Sequence, residues 1–307
     1  MENSTMFYFN LTMFVPLGSY GYAAFVLCFL LFAFIISANL VIIVVISRER
    51  TLHQPMYIFI AFLSFNSLFG STGFFPRFLM DLLSETHLIS RPACFTQIYV
   101  IYSYASNEMT ILSVMAYDRY VAVCDPLHYH NRMTAKTVRR LAAYALICPA
   151  FFVATCLYLS IRLPLCGNNL LKVYCANWNI VKLSCVSTFV NNIIGLSLTT
   201  VITFLPLTYI LYTYFQIVLV CRKSSSEFKS KVFQTCLPHI ISFVSYTIIL
   251  FCDIVLSRVK LNRFLAVVLS LEFVMIPPLF NPLVYGLHLP DIRRHIFRML
   301  HFAKAFS

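Results

Sequence analysis

Seven apolar runs dominate the chain, each long enough to cross the roughly 30 Å hydrocarbon core of a bilayer at about 1.5 Å of helical rise per residue. They fall at 22–46, 56–83, 95–123, 137–160, 189–220, 232–256 and 264–287. A chain of 307 residues that is 60% hydrophobic and 11% charged has too few polar side chains to coat a water-soluble globule of its size. The connections are short, no Gly/Ser/Pro-rich linker interrupts them, and no inverted repeat of the transporter kind is visible. These features predict an all-α membrane protein: a seven-transmembrane helix bundle forming a single domain over 1–307.

The net charge of +12 would suit nucleic acid if it were spread over one surface, but the basic residues are sorted by side instead. With seven spans, the odd loops and the tail share one side. That side carries Arg48, Arg50, Arg119, Arg132, Lys136, Arg139, Arg140, Arg222, Lys223, Lys229 and Lys231, then Arg293, Arg294, Arg298 and Lys304 in the tail. The segment before the first span has no Lys or Arg. The positive-inside rule then sets 1–21 as an extracellular N-terminus and 288–307 as a cytoplasmic tail, with no nucleic-acid partner. The glycosylation sequons at Asn3 and Asn10 both precede the first span, in agreement. The first twenty residues lack a basic start, so the first span is expected to serve as the targeting signal. After Pro290, apolar Ile292, Ile296, Met299, Leu300 and Ala303 recur at helical spacing between cations, which predicts a short amphipathic helix on the inner lipid surface.

Four of the 11 cysteines, Cys94, Cys166, Cys175 and Cys185, fall on the outer side, where three pairings are open to them. The other seven read as small buried hydrophobes or acylation sites.

Asp118-Arg119-Tyr120 ends the third span, 25 residues or about 37 Å of helix from Cys94 at its other mouth. A lone arginine there would snorkel to headgroups. An adjacent acid can hold the guanidinium at rest and release it to a partner, as a two-state element requires. In the seventh span Pro277, Pro278 and Pro282 cannot donate helical hydrogen bonds, so this helix must kink, with Asn281 able to refill part of the lost bonding and Tyr285 one turn further in.

Together with Leu52-His53-Gln54-Pro55-Met56-Tyr57, Met115 to Cys124, Pro126-Leu127-His128-Tyr129, Lys231 with Thr235-Cys236 and His239, and Asn281-Pro282 with Tyr285, these motifs resemble those of rhodopsin-type G-protein-coupled receptors and, within them, odorant (olfactory) receptors. The stretches PMYIFIAFL and TGFFPRFL look most like fish-type members. The resemblance covers nearly the whole chain. It implies a plasma-membrane receptor that binds a small odorant from outside and activates a stimulatory heterotrimeric G protein, raising cyclic AMP. It implies a switch built from Asp118, Arg119, Tyr120, Tyr214, His239, Asn281, Pro282 and Tyr285. It also implies disulfides Cys94–Cys175 and Cys166–Cys185, and no cofactor.

Several positions depart from the family pattern. The usual mid-membrane aspartate of span two is absent, and only Asn66 and Ser67 stand there, so Glu108 in span three is a weakened candidate for a sodium site against a plain hydrogen-bonded carboxyl. Span six lacks the tryptophan common in relatives, leaving Tyr246 near that level. Ile101 stands where amine receptors carry an aspartate, which disfavours a cationic ligand. The pocket is expected around Ile101, Tyr102, Ala105, Tyr246 and Arg258. Arg258, 19 residues or about 28 Å above His239, would favour an acidic odorant, its rival role being to anchor in the headgroups. Arg77, Asp81, Asp253 and Glu272, also toward the outer side, read as paired or interfacial. A peptide or lipid receptor of the same fold, and a transporter or channel, are the competing readings. No nucleophile, base and metal-ligand grouping points to an enzyme.

Overall fold

A computed structural model describes residues 7–14, 18, 20–256 and 262–305, with side chains described outside 254–256 and 300–305. Seven long helices follow the apolar runs: α1 Tyr20–Arg48, α2 Pro55–Leu83, α3 Arg91–Cys124, α4 Ala135–Ile161, α5 Phe189–Arg222, α6 Ser226–Leu256 and α7 Arg263–His288. A shorter α8, Pro290–Ala305, follows directly. The chain is an all-α, multi-pass membrane bundle.

Local chemistry sets where the helices begin. Ser90 accepts from the Ala93 amide, with Pro92 in the first turn, so α3 starts four residues before its apolar run. Thr134 caps α4 through the Thr137 amide, and Asn262 caps α7 through the Phe264 amide. α6 starts at Ser226, well before residue 232, because a polar turn carrying the Glu227–Lys231 pair extends it.

Six of the seven long helices are apolar enough to span a membrane by composition, and α3 is the exception. It packs against α2, α4, α5 and α6, and this shielding from lipid lets it bury Gln97, Ser103, Asn107, Glu108 and Asp118. α5 has the opposite environment, with few buried residues and a long outward apolar face. α2 approaches α3 closely at two glycines: a Cβ on Gly70 would strike the Tyr104 ring, and one on Gly73 would strike Val100.

The end of the bundle opposite Arg119 is closed by a three-stranded sheet that the all-α reading did not include. Strand β1 (Tyr8–Leu11) lies between β2 (Leu88–Ser90), antiparallel to it, and β3 (Asn169–Leu170), parallel to it. Alternation along β1 turns Phe9 and Leu11 inward onto Ile89, Leu170 and the Cys94–Cys175 disulfide. Asn10, on the other face, donates its amide to Asn169 at 3.3 Å. Cys166 and Cys185 form the second disulfide within the same loop region. Arg263 at the start of α7 donates to the carbonyls of Thr12 and Phe14 at 2.8 and 2.7 Å, tying the N-terminal segment to the bundle. Asn3 and Arg258 lie outside the described residues.

Candidate functional site

Below the sheet, α3, α4, α5 and the α4–α5 loop line a partly open cavity of about 210 Å³, with α6 and α7 contributing Leu250, Asp253 and Phe273. Tyr102 and Ala105 line it. Ile101 and Tyr246 do not. Ile101 turns toward α2 and packs with Phe74, Phe75 and Tyr174. Tyr246 sits deeper, fully buried, and donates to the Ala105 carbonyl at 2.7 Å, so it ties α6 to α3 beneath the cavity. The cavity wall adds residues that the sequence reading passed over: Asn177, Asn191 and Asn192. Asn191 and Asn192, polar residues at the start of the fifth apolar run, were the legible signal; Asn177, in the loop before it, had none. Asp253 on the rim is bonded to Lys172 of the loop at 3.0 Å, and that ammonium lies 5.2 Å from the Tyr174 ring centre. Arg77 and Asp81 likewise neutralise one another through two hydrogen bonds of 2.8 and 2.6 Å.

A polar axis runs from the cavity floor toward Arg119. Glu108 is fully buried and accepts from Asn281 of α7 through one oxygen and from Asn66 of α2 through the other, at 2.9 Å for Asn66. The same Asn66 nitrogen donates to the Tyr104 carbonyl at 2.9 Å, so the amide must present its N–H groups to Glu108. Two amide donors directed at one carboxyl group suit a hydrogen-bonded clamp joining α2, α3 and α7. They do not fit a sodium site, which needs oxygen atoms facing the ion. Among the described residues, no group of three or more His, Cys, Asp and Glu gathers to hold a metal.

The bonding gap at Pro282 in α7 is filled differently from the expectation. Pro282 has no N–H for the Pro278 carbonyl one turn earlier, and Asn39 of α1 donates to that oxygen at 2.9 Å. Asn281 is thereby left for Glu108.

Closer to Arg119, His239 of α6 joins three helices. Its Nε2 lies 2.9 Å from the Leu112 carbonyl of α3, and its Nδ1 lies 2.6 Å from the Tyr214 hydroxyl of α5. Only an N–H can bond a carbonyl, so Nε2 carries the proton and Nδ1 accepts from the phenol. Tyr285 is buried beside Ser242 of α6.

At the C-terminal end of α3, Arg119 donates through Nε and Nη2 to a single oxygen of Asp118, at 3.0 Å for Nε. The other Asp118 oxygen accepts from the Tyr129 hydroxyl at 2.7 Å. Burial first, and then the Asp118 carboxylate, push the Tyr129 phenol above its ordinary pKa, so it remains a donor at physiological pH. Tyr129 belonged to the quoted Pro126–Tyr129 motif, but its role was not legible there. Asp125, in the same loop, is held below the ordinary carboxylate range by a hydrogen bond from His128 and also pairs with Arg132 at 2.9 Å. It is therefore committed elsewhere. Tyr120, next to Arg119, is half-buried and packs against the hydrophobic cluster at that end of the bundle. On the tail side, the Tyr57 hydroxyl of α2 donates to Asp291 of α8 at 2.9 Å.

Seven long helices, six of them apolar enough to cross a membrane, with a cavity toward one end and an ion-paired arginine at the other, are the arrangement of a multi-pass helical receptor. The olfactory receptor family model matches residues 27–303. Human olfactory receptor 51E1 is 32% identical over 284 residues, covering 91% of this chain and 89% of that protein. Mouse olfactory receptor 4B13 is 32% identical over 276 residues, covering 88% and 89%. Human olfactory receptor 6K2 is 31% identical over 300 residues, covering 94% and 91%. The chain belongs to the olfactory receptor family. It is an odorant receptor, a signalling membrane protein and not an enzyme.

Proposed function

We propose that the chain works as one domain that couples odorant binding in the α3–α4–α5 cavity to capture of a stimulatory heterotrimeric G protein at the Arg119 end, raising cyclic AMP. The disulfide end faces outward at the plasma membrane and the Arg119 end faces the cytoplasm, which fits the basic loops and tail on that side and the oxidised cysteines on the other. Asp118, Arg119 and Tyr120 form the latch. Tyr214 and His239 hold α5 and α6 against α3. Asn281, Pro282 and Tyr285 form the bend about which α7 rearranges. The Cys94–Cys175 and Cys166–Cys185 bridges keep the loop over the cavity in place, and glycans on Asn3 and Asn10 fit the outward N-terminus.

The observation that carries this reading is the resting arrangement of Arg119. Its guanidinium is spent on Asp118, which is itself held by Tyr129, while α6 is pinned to α3 by Tyr246 and His239. A ligand that binds more tightly when these bonds are broken shifts the population toward an opened inner face. Arg119 is then free to donate to carbonyls of the G protein.

Arg119→Ala tests the assignment. It leaves surface level and ligand binding unchanged and removes the odorant-driven cyclic-AMP response. An undiminished response at matched surface level refutes the role of Arg119. The acidic odorant suggested by the sequence depends on Arg258, while the described wall supplies one carboxylate, already paired.

A further inference from the structure

Three side-chain amides on the cavity wall carry a buried polar atom without a protein partner: Oδ1 of Asn177, Nδ2 of Asn191 and Oδ1 of Asn192. Asn177 opens the short helix Asn177–Val181 in the α4–α5 loop, and the other two lie in the first turn of α5. Asn192 spends its Nδ2 on the Thr188 hydroxyl at 3.2 Å, which leaves its carbonyl end open. Buried polar atoms are nearly always bonded in native proteins, so three unpaired ones on residues that line a single cavity are polar groups that a guest satisfies when the amides turn toward it. Between them they require both acceptance and donation of hydrogen bonds. A hydroxyl does both, and it satisfies an amide turned either way.

Charge narrows the guest further. Asp253 is the one acidic or basic side chain among the described lining residues, and Lys172 neutralises it at 3.0 Å. A carboxylate ligand would lose its hydration beside Asp253 with no cation left to receive it. An amine would have to displace Lys172. The rest of the wall, Phe152, Leu157 and Ile202 among it, is hydrocarbon.

We infer that the cavity selects a neutral amphipathic ligand whose hydroxyl or carbonyl groups bond Asn177, Asn191 and Asn192 while its hydrocarbon part packs between α3, α4 and α5. The inference rests on the reading of this cavity as the odorant site.

The test uses the full-length receptor in lipid nanodiscs and a panel of matched alcohols, ketones, carboxylic acids, primary amines and hydrocarbons of graded size. Binding is read as the ligand-induced rise in Tm, and cyclic AMP is read separately in cells. Alcohols or ketones bind best. Asn192→Leu weakens them roughly tenfold or more while leaving hydrocarbon binding in place. Asn192→Asp, which adds charge at constant volume, shifts preference from alcohols toward amines; this gain cannot arise from misfolding. Preference of the wild type for acids or amines overturns the inference, as does unchanged alcohol affinity in Asn192→Leu, which would mean that water alone satisfies the amides. If no class binds to receptor with both disulfides intact, the odorant-site reading fails and the inference falls with it. Binding without a cyclic-AMP response contradicts only the G-protein part of that reading.

Discussion

Tyr129 shows how one hydroxyl can set a resting state. Asp118 has two oxygens, and the Arg119 guanidinium uses one of them while Tyr129 donates to the other at 2.7 Å from the loop beyond α3. Removing that donor leaves the carboxylate less fixed and Arg119 easier to release. A hydrogen bond to a charged group contributes about 1.5–3 kcal/mol. Tyr129→Phe should therefore raise basal cyclic AMP by roughly tenfold, measured at matched surface level without odorant. Basal signalling equal to the wild type would mean that Tyr129 is packing alone. The residue types at the latch were legible in the sequence because Asp118, Arg119 and Tyr120 are adjacent in the chain. The Tyr129 contact was not, since it depends on how the loop turns back under the helix. The cavity amides were missed for a similar reason: Asn177 meets Asn191 and Asn192 only after the α4–α5 loop folds over the bundle.

At the scale of the helices, length and hydropathy carry most of the fold, and polar pairing decides the rest. The apolar runs placed all seven long helices to within a turn or two, because the bilayer requires continuous hydrocarbon and self-satisfied backbone. Helix ends moved where caps lie beyond the run, as Ser90 does for α3. The bonding of the α7 kink could not be read from α7, because Asn39 reaches it from α1, 239 residues earlier. The α2–α3 contact is likewise visible only in three dimensions. Gly70 and Gly73 are ordinary residues in the sequence, yet they let the helices approach until Tyr104 and Val100 fill the space where a Cβ would stand. Gly70→Ala should cost about 1–3 kcal/mol by overpacking and lower the Tm of purified receptor. The wild-type Tm in Gly70→Ala would show that Tyr104 moves aside freely.

Across the whole molecule, the sheet and the two disulfides brace one end, while at the other end α3, α5 and α6 are held by apolar packing of Val123, Ile217, Val232 and Cys236 and by the hydrogen bonds of His239. The sheet was illegible in the sequence because its strands are short and come from three distant segments, joined by backbone bonds that no periodicity reveals. The asymmetry matters for signalling: covalent bridges hold one end, while the hydrogen bonds and apolar contacts at the other can be exchanged for contacts with a partner. The central claim is that odorant binding parts α6 from α3 at the Arg119 end. Spin labels at Asn131, in the loop after α3, and at Ser230, in the first turns of α6, report that separation by pulsed electron resonance in nanodiscs. An activating ligand with G protein should lengthen the distance by on the order of 5 Å, and Arg119→Ala should reduce the long-distance population. An unchanged distance distribution, with the same ligand raising cyclic AMP in cells, would contradict the account.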